Sequence, residues 1–307
     1  MNIEATPLIS VIIPAFNYAA SLERAVSSVL SQAGGDFDVW IIDDGSTDDT
    51  EAVAATLLPR WSRRLHYHRQ TNQGPAAARN QGIHMSRGDY LLFLDADDEL
   101  LPDALAAFRA GIAGHPEAAL WLADHVAVES NGKTRQRRQK SLPDKPEARL
   151  RAYLLDKTLI ACAGAMLFRR AIFDHYRYPE QFRSAEDLPM FAYALANFPC
   201  ALIDSATVRV YKHPDSLRGN ADQAAATSMQ LVDEIFDLRR MPPLAMRLKP
   251  AYIARRHLSL FRTLQQAGQY QAALAHYRNA LRLSPMQALS PRYLGKALRV
   301  LLAGLKM

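Results

Sequence analysis

Two cysteines in 307 residues, Cys162 and Cys200, are too few for a disulfide framework or a thiolate zinc site. Both lie in apolar surroundings and form no C-x-x-C, which fits a reducing, cytoplasmic compartment. Nor is there a clean apolar run of about 20 residues, the length a membrane span requires. The longest uncharged stretch, residues 5–22, holds Pro7, Pro14 and Asn17, and residues 188–203 hold Pro189 and Pro199. Glu4 precedes the first stretch and no basic segment introduces it, so it does not read as a secretory signal. The first apolar strand runs into Pro14-Ala15-Phe16-Asn17 rather than G-x-G-x-x-G, which sets aside a dinucleotide-dependent dehydrogenase.

Acidic residues are missing beyond Asp237. Residues 238–307 hold 13 Lys and Arg and no Asp or Glu, whereas residues 1–237 hold 24 basic against 31 acidic residues. The net charge of +6 therefore describes a basic tail on an acidic body. A nucleic-acid partner would call for a chain basic throughout, and none is expected.

What is present is globular chemistry: 49% hydrophobic and 22% charged residues at this length predict one large domain with an appendage, or two domains. Residues 8–14 (LISVIIP) form a continuous β-branched run, as a strand buried on both faces requires. A helical stripe follows over 21–31, then a second strand at 37–43 and a helix to about Leu58 capped by Thr47 or Asp48. A weaker strand at 65–69, a helix at 75–85 and a buried strand at 90–94 complete a strand–helix alternation. That alternation predicts a mostly parallel sheet with right-handed crossovers. Sheets of this kind hold ligands beyond the carboxyl ends of their strands. Those ends carry Ala15-Phe16-Asn17, Asp43-Asp44-Gly45-Ser46 and Asp95-Ala96-Asp97-Asp98, and this edge is the candidate active site.

Farther on, 105–112 reads as a helix, 118–129 with Asn131-Gly132 as strands around a tight turn, and 133–140, five basic residues in eight, as a solvated loop. Residues 207–212 alternate as a strand should. From about Ala221 the chain turns wholly helical, with a hairpin of helices at 252–265 and 270–283 that resembles one tetratricopeptide unit.

Asp95-Ala96-Asp97-Asp98 places three carboxylates after a buried strand, where they repel unless a cation offsets them. The alternative is an N-capping cluster for the helix that follows Leu101-Pro102. Asp44 can accept from a base or a ribose hydroxyl, or simply cap a strand-to-helix turn. Phe16 offers an aromatic face to a base, or belongs to the core. Ser184-Ala185-Glu186-Asp187 fits a capping box with Ser184 as N-cap, or holds a general base at a helix start. His213 ends the last strand as a metal ligand, a phosphate contact or simply a surface histidine, and Arg218 could bind phosphate bidentately.

Together these segments resemble the family 2 glycosyltransferases of the GT-A fold. The match rests on 10–17 (SVIIPAFN), 39–48 (VWIIDDGSTD), 72–82 (NQGPAAARNQG), 88–98 (GDYLLFLDADD) and Ala185-Glu186-Asp187, in order over about residues 7–220. The resemblance implies a Rossmann-like α/β domain over 1–220, followed by a basic helical region over 221–307. It implies a nucleotide-sugar donor, a UDP-sugar in the first instance, held by Pro14, Ala15, Phe16, Asp44, Gly74, Arg79, Asp95 and Ala96. It implies a divalent metal, Mn2+ or Mg2+, on Asp97, with Asp98 and His213 as further ligands. Asp187 would be the catalytic base with Glu186 beside it, in a single inverting displacement onto a glycan or glycolipid hydroxyl of surface polysaccharide or glycolipid assembly. Two segments depart from the family pattern. Tyr178-Pro179-Glu180-Gln181-Phe182 lacks the usual Gly-Gly-Phe-Asp-Glu-like sequence, and Leu188-Pro189-Met190-Phe191 lacks the usual basic residue. Both bear on the acceptor.

A rival reading is a decayed transferase core whose helical tail binds a partner protein. The tail also admits a membrane role. Leu294, Leu298, Leu301 and Leu305 share one helical face, with Arg292, Lys296, Arg299 and Lys306 elsewhere. Such a helix can lie in the headgroup layer on the inner face of the cell membrane, or pack on the protein.

Overall fold

The computed structural model describes residues 8–212 and 221–304, with backbone alone for 221–227 and 302–304. The chain divides into two compact units. One comprises Met1–Asp144 and Thr158–Ser216, the other Lys145–Lys157 and Leu217–Met307. This division differs from a linear cut at 220, because a short internal segment groups with the C-terminal helices.

The first unit is built on a nine-stranded sheet in the order β3-β2-β1-β4-β8-β6-β9-β5, with β7 on the edge of β6. The strands are β1 (Ile9–Ala15), β2 (Phe37–Asp43), β3 (Leu65–Arg69), β4 (Tyr90–Phe93), β5 (Glu99–Leu100), β6 (Leu120–Val128), β7 (Thr134–Arg137), β8 (Met166–Arg169) and β9 (Cys200–Tyr211). β3, β2, β1 and β4 run parallel, whereas β8 is antiparallel to β4 and to β6. All seven residues of β1 are buried, the fate its continuous apolar run dictates. The chain steps outward from β1 to β2 and β3, then returns to place β4 on the other side of β1. That reversal opens a crevice at the carboxyl ends of β1 and β4.

Helices α1 (Ala19–Leu30), α2 (Thr50–Leu57), α3 (Pro75–Met85) and α4 (Ala104–Gly114) connect these strands. α3 must lie close against β1. A Cβ on Gly82 would sit 2.4 Å from Ile12 Cγ2, which real side chains do not permit. α1 begins two residues before the expected stripe, and Asp49 rather than Thr47 or Asp48 takes the cap position of α2, although the Asp48 carboxylate still accepts from Thr50 N at 3.0 Å. The basic segment 133–140 is not wholly loop, because the Asn131-Gly132 turn folds residues 134–137 back as exposed strand β7 along β6.

In the second unit, α5 (Pro146–Arg151) and a π-helical turn (Ala152–Asp156) join α7 (Ala221–Ile235), α8 (Pro243–Met246), α9 (Lys249–Gln266), α10 (Tyr270–Leu283), α11 (Pro285–Ala288) and α12 (Pro291–Gly304). The tetratricopeptide-like hairpin α9–α10 buries Leu258, Phe261, Ala273 and Tyr277 against Ala288 of α11 and Ala297 and Val300 of α12. Between α9 and α10, the Nδ1 atoms of His257 and His276 lie 2.8 Å apart.

Candidate active site

Of the candidate binding residues, Pro14, Ala15, Phe16, Asp44, Asp95 and Ala96 sit at or just past the end of a parallel strand, whereas Gly74 and Arg79 come from the start of α3. β1 ends at Ala15, and the next residue, Phe16, is 43% exposed. Every other exposed large hydrophobic among the described residues lies at or beyond Leu238, so a bare aromatic ring here stands apart from the rest of its unit. Asn17 adopts a left-handed φ of 61°, donates its backbone N–H to Ser46 Oγ at 3.0 Å and accepts from Thr47 N at 2.7 Å. These bonds tie the end of β1 to the loop after β2. Pro14, Ala15 and Ala96 are buried.

Asp43 and Asp44, adjacent in sequence, are both buried. Asp43 accepts from Ser46 N at 2.8 Å and from the Tyr67 hydroxyl at 2.7 Å; burial, and then this bond, raises the phenol pKa. Asp44 accepts from Gln73 N at 2.9 Å, Gln70 Nε2 at 2.8 Å and Gly74 N at 2.7 Å. The Asp44 carboxylate thus shapes the 70–74 loop, and of its roughly four lone-pair sites about one remains for a ligand. Gly74 itself has φ 98°, a conformation that favours glycine, and the Arg183 side chain lies over it.

After β4, Asp95 and Asp97 stand at the rim and Asp98 turns inward, accepting from Tyr211 N at 2.9 Å. Burial, then the nearby Asp95 carboxylate, pushes Asp98 up to about 8. The Tyr18 phenol beside them is pushed up to about 12 by burial and by the Asp97, Asp95 and Asp98 charges. Arg24 donates to the Asp97 carbonyl at 2.5 Å and stacks 4.1 Å from the Tyr211 ring centroid, bracing the loop. Crowded carboxylates whose neighbours titrate upward suit a cation. Among the described residues no three His, Cys, Asp or Glu side chains gather as a complete ligand set. A divalent ion at Asp97 and its neighbours would therefore draw further ligands from a diphosphate and water, the habit of Mg2+. His213 and Arg218 lie outside the described residues.

Arg79 joins the two halves of the site. Only 7% exposed on α3, it donates through Nη2 to Asp95 Oδ1 at 2.9 Å and through Nη1 to Glu186 Oε1 at 2.5 Å. Those two carboxylates, together with Tyr178 and Asp187, offset the desolvation of its guanidinium and raise its pKa, so it stays charged. Its guanidinium carbon also lies 5.4 Å from the centre of the buried Tyr178 ring. Asn80 fixes that tyrosine backbone from both sides, donating to Tyr178 O at 2.8 Å and accepting from Tyr178 N at 3.0 Å.

Glu186 and Asp187 open α6 (Asp187–Asn197), with Glu186 at the cap position. The expected capping box does not form: Ser184 lies outside the helix, and Ala185 between them takes a left-handed φ of 58°. That strain, of order 1 kcal/mol or more in a residue with a Cβ, turns the acid pair toward Arg79. Asp187 is half-buried, and burial followed by the Glu186 charge pushes its carboxyl up to about 6. Such a carboxylate is ionised at neutral pH and is a better proton acceptor than an ordinary aspartate.

The profile of "Glycosyl transferase family 2" matches residues 10–177. The chain belongs to this family. It is 40% identical over 128 residues to the PGL/p-HBAD biosynthesis glycosyltransferase of Mycobacterium bovis (strain BCG / Pasteur 1173P2), an alignment covering 41% of this chain and 50% of that protein. An uncharacterized glycosyltransferase of Haemophilus influenzae is 40% identical over 99 residues, covering 32% of this chain and 40% of that one. The chain thus spans about half, or less, of the curated relatives it matches. In fold it is similar to S. aureus TarS 1-349 in complex with UDP-GlcNAc, with TM-score 0.68 and 20% identity over 91% of this chain and 82% of that one. It is also similar to the mannosyltransferase PcManGT from Pyrobaculum calidifontis in complex with GDP-Man and Mn2+, with TM-score 0.58 and 18% identity over 96% and 81%. These likenesses establish the GT-A fold, with helices following the α/β part.

Within this family 2 chain, sequence reasoning placed Arg79 as pocket lining and missed its clamp between Asp95 and Glu186. The available signal was a single cation in an alanine-rich helix whose stripe must face the sheet. Tyr18, Tyr178 and Asn80 were also missed, because their partners lie far along the chain.

Proposed function

We propose that the chain transfers a sugar from a nucleotide sugar to an acceptor hydroxyl, with inversion, in the assembly of a surface glycolipid or polysaccharide. The observation that carries this reading is the Arg79 clamp. It draws Asp95, on the donor side, and Glu186, beside Asp187, into one constellation at the carboxyl edge of the parallel strands. Family membership supports the reaction class. The UDP-GlcNAc held by TarS and the GDP-Man and Mn2+ held by PcManGT support a nucleoside diphosphate-sugar donor, UDP-linked first. The named role of the mycobacterial relatives in PGL/p-HBAD biosynthesis supports a glycolipid acceptor. That acceptor would be met on the cytoplasmic side of a membrane. The decayed-core alternative gains no support from these relatives or from the intact acid set.

Phe16 would stack on the nucleotide base, and Asp44, through its remaining lone pair, with Asp95 would orient base and ribose. Asp187 would take the proton of the acceptor hydroxyl as that oxygen bonds to the anomeric carbon. The bond from that carbon to the diphosphate oxygen breaks, and the nucleoside diphosphate leaves with the electron pair. A divalent ion held at Asp97, with Asp98 and His213 as further candidates, would offset charge developing on the leaving group.

A panel of nucleotide sugars, with each donor assayed by thermal shift and by release of nucleoside diphosphate, tests the proposal. One donor should raise the melting temperature and be turned over, and Asp187→Asn should keep the shift while losing turnover. No shift with any donor, or full turnover by the variant, would overturn it.

A further inference from the structure

The exposed large hydrophobic side chains, Phe16 apart, belong to the second unit among the described residues. Their densest run is in α11 and α12, where Met286 is 90% exposed and Leu298 52%, with Leu294 and Leu301 also open. A helix advances about 100° per residue, so Leu294, Leu298 and Leu301 fall within an arc of roughly 60°. The adjoining arc holds Ala297 and Val300, which are buried in the helical core and seat α12 there. The leucines therefore form a ridge beside the seated face and are not needed to hold the helix in place.

On the other side of the seated face lie Arg292, Lys296 and Arg299, again within an arc of roughly 60°. These cations, with Arg262 of α9, are close enough to bear on one another: Lys296 is lowered by slight desolvation and by repulsion from Arg262, Arg292 and Arg299. Nothing in the local sequence balances them, since residues 238–307 contain no acid. α12 thus presents an apolar ridge and a basic flank on the two opposite edges of its seated face, about 160° apart.

We propose that α11 and α12 form a docking surface for an anionic lipid bilayer, with Met286 and the leucine ridge entering the acyl boundary and the basic flank meeting the headgroups. Charge decides among the possible occupants. A second copy meeting this one helix to helix would bring two carboxylate-free surfaces together and meet like-charge repulsion, and a neutral surface would leave the cations uncompensated. A planar anionic layer lying on the open side of α12, opposite Ala297 and Val300, meets the ridge along one edge and the cations along the other. This goes beyond the catalytic reading and does not depend on it.

The test is co-sedimentation of the full chain with phosphatidylglycerol-rich or pure phosphatidylcholine vesicles, without donor or acceptor. The wild-type chain should pellet with the anionic vesicles only, and about 0.5 M salt should weaken the binding. Replacing Leu294, Leu298 and Leu301 with serine should cut binding by about ten-fold or more, and Arg292, Lys296 and Arg299 with glutamine by a similar factor. All six positions are at least partly open, and circular dichroism confirms folding of each variant before use. Equal pelleting with both vesicle types, or an unchanged leucine variant, would overturn the proposal. So would a wild-type dimer in sedimentation equilibrium that the leucine variant abolishes, because the ridge would then be covered by a second copy.

Discussion

Arg79 Nη1 lies 2.5 Å from Glu186 Oε1, a contact spanning 107 positions of sequence. Both side chains are buried, so their attraction is weakly screened. Removing the guanidinium strands Glu186 as a buried charge. Arg79→Ala should therefore lower stability by about 3 kcal/mol or more in denaturant titration. Arg79→Lys should recover only part of that loss, since one ammonium does not reproduce the fork that spans two carboxylates. Wild-type stability in the lysine variant would show that the fork is not needed.

As the proposed base, Asp187 would link catalysis to pH. Its carboxyl is raised to about 6, so the base form, and with it kcat/KM, should rise as pH increases through about 6 and level off above it. The stability sign is opposite. A raised carboxylate pKa contributes stability below the unfolded value near 4, and that contribution is lost as pH rises through about 6. Asp187→Asn should thus melt higher than wild type at pH 7.5, by up to about 2–3 kcal/mol, while turnover falls by about 100-fold or more. Melting curves at pH 5 and pH 7.5 check the sign, because the gap between variant and wild type should narrow at the lower pH.

Phe16 is exposed and helps fill no core, so Phe16→Ala should change stability by less than about 0.5 kcal/mol. Loss of one base-stacking face should weaken nucleotide binding by about 5- to 100-fold, the equivalent of roughly 1–3 kcal/mol. Calorimetric titration with UDP reads this directly. An unchanged Kd would remove Phe16 from the donor site.

The His257–His276 pair has depressed pKa values, through desolvation in both and also through His276 in the case of His257. A depressed histidine favours the neutral folded form, so stability is kept above the unfolded value near 6.5 and falls as pH drops below it. Thermal melts between pH 7.5 and 5 should show the C-terminal helices loosening in acid. His276→Gln should flatten that dependence.

Much of this was legible in advance because local patterns and global packing agree. The apolar run at 8–14 permits little except a doubly buried strand, and α10 matches its predicted limits, Tyr270–Leu283, because Gly268 and Ser284-Pro285 bracket it. The capping box at Ser184 failed because local propensity lost to the constraint that holds Ala185 left-handed. The strands expected around Asn131-Gly132 do pair, but the basic strip at 133–140, read as loop, holds the second of them, since charge pattern marks exposure rather than backbone pairing. Asp44 was read as an acceptor for base or ribose, or as a cap on its own turn; that the distant 70–74 loop takes most of its lone pairs is something only three-dimensional proximity reveals.

Lys145–Lys157 is threaded into the helical unit although the chain on both sides of it belongs to the sheet. Its Leu150, Tyr153 and Leu154 are buried, and the Leu155 carbonyl receives a hydrogen bond from Arg255 of α9. Cutting the chain at residue 216 would leave this segment behind without the helices it folds with. Any chimera that exchanges the C-terminal helices with a relative must carry thirteen residues from the middle of the chain along with them.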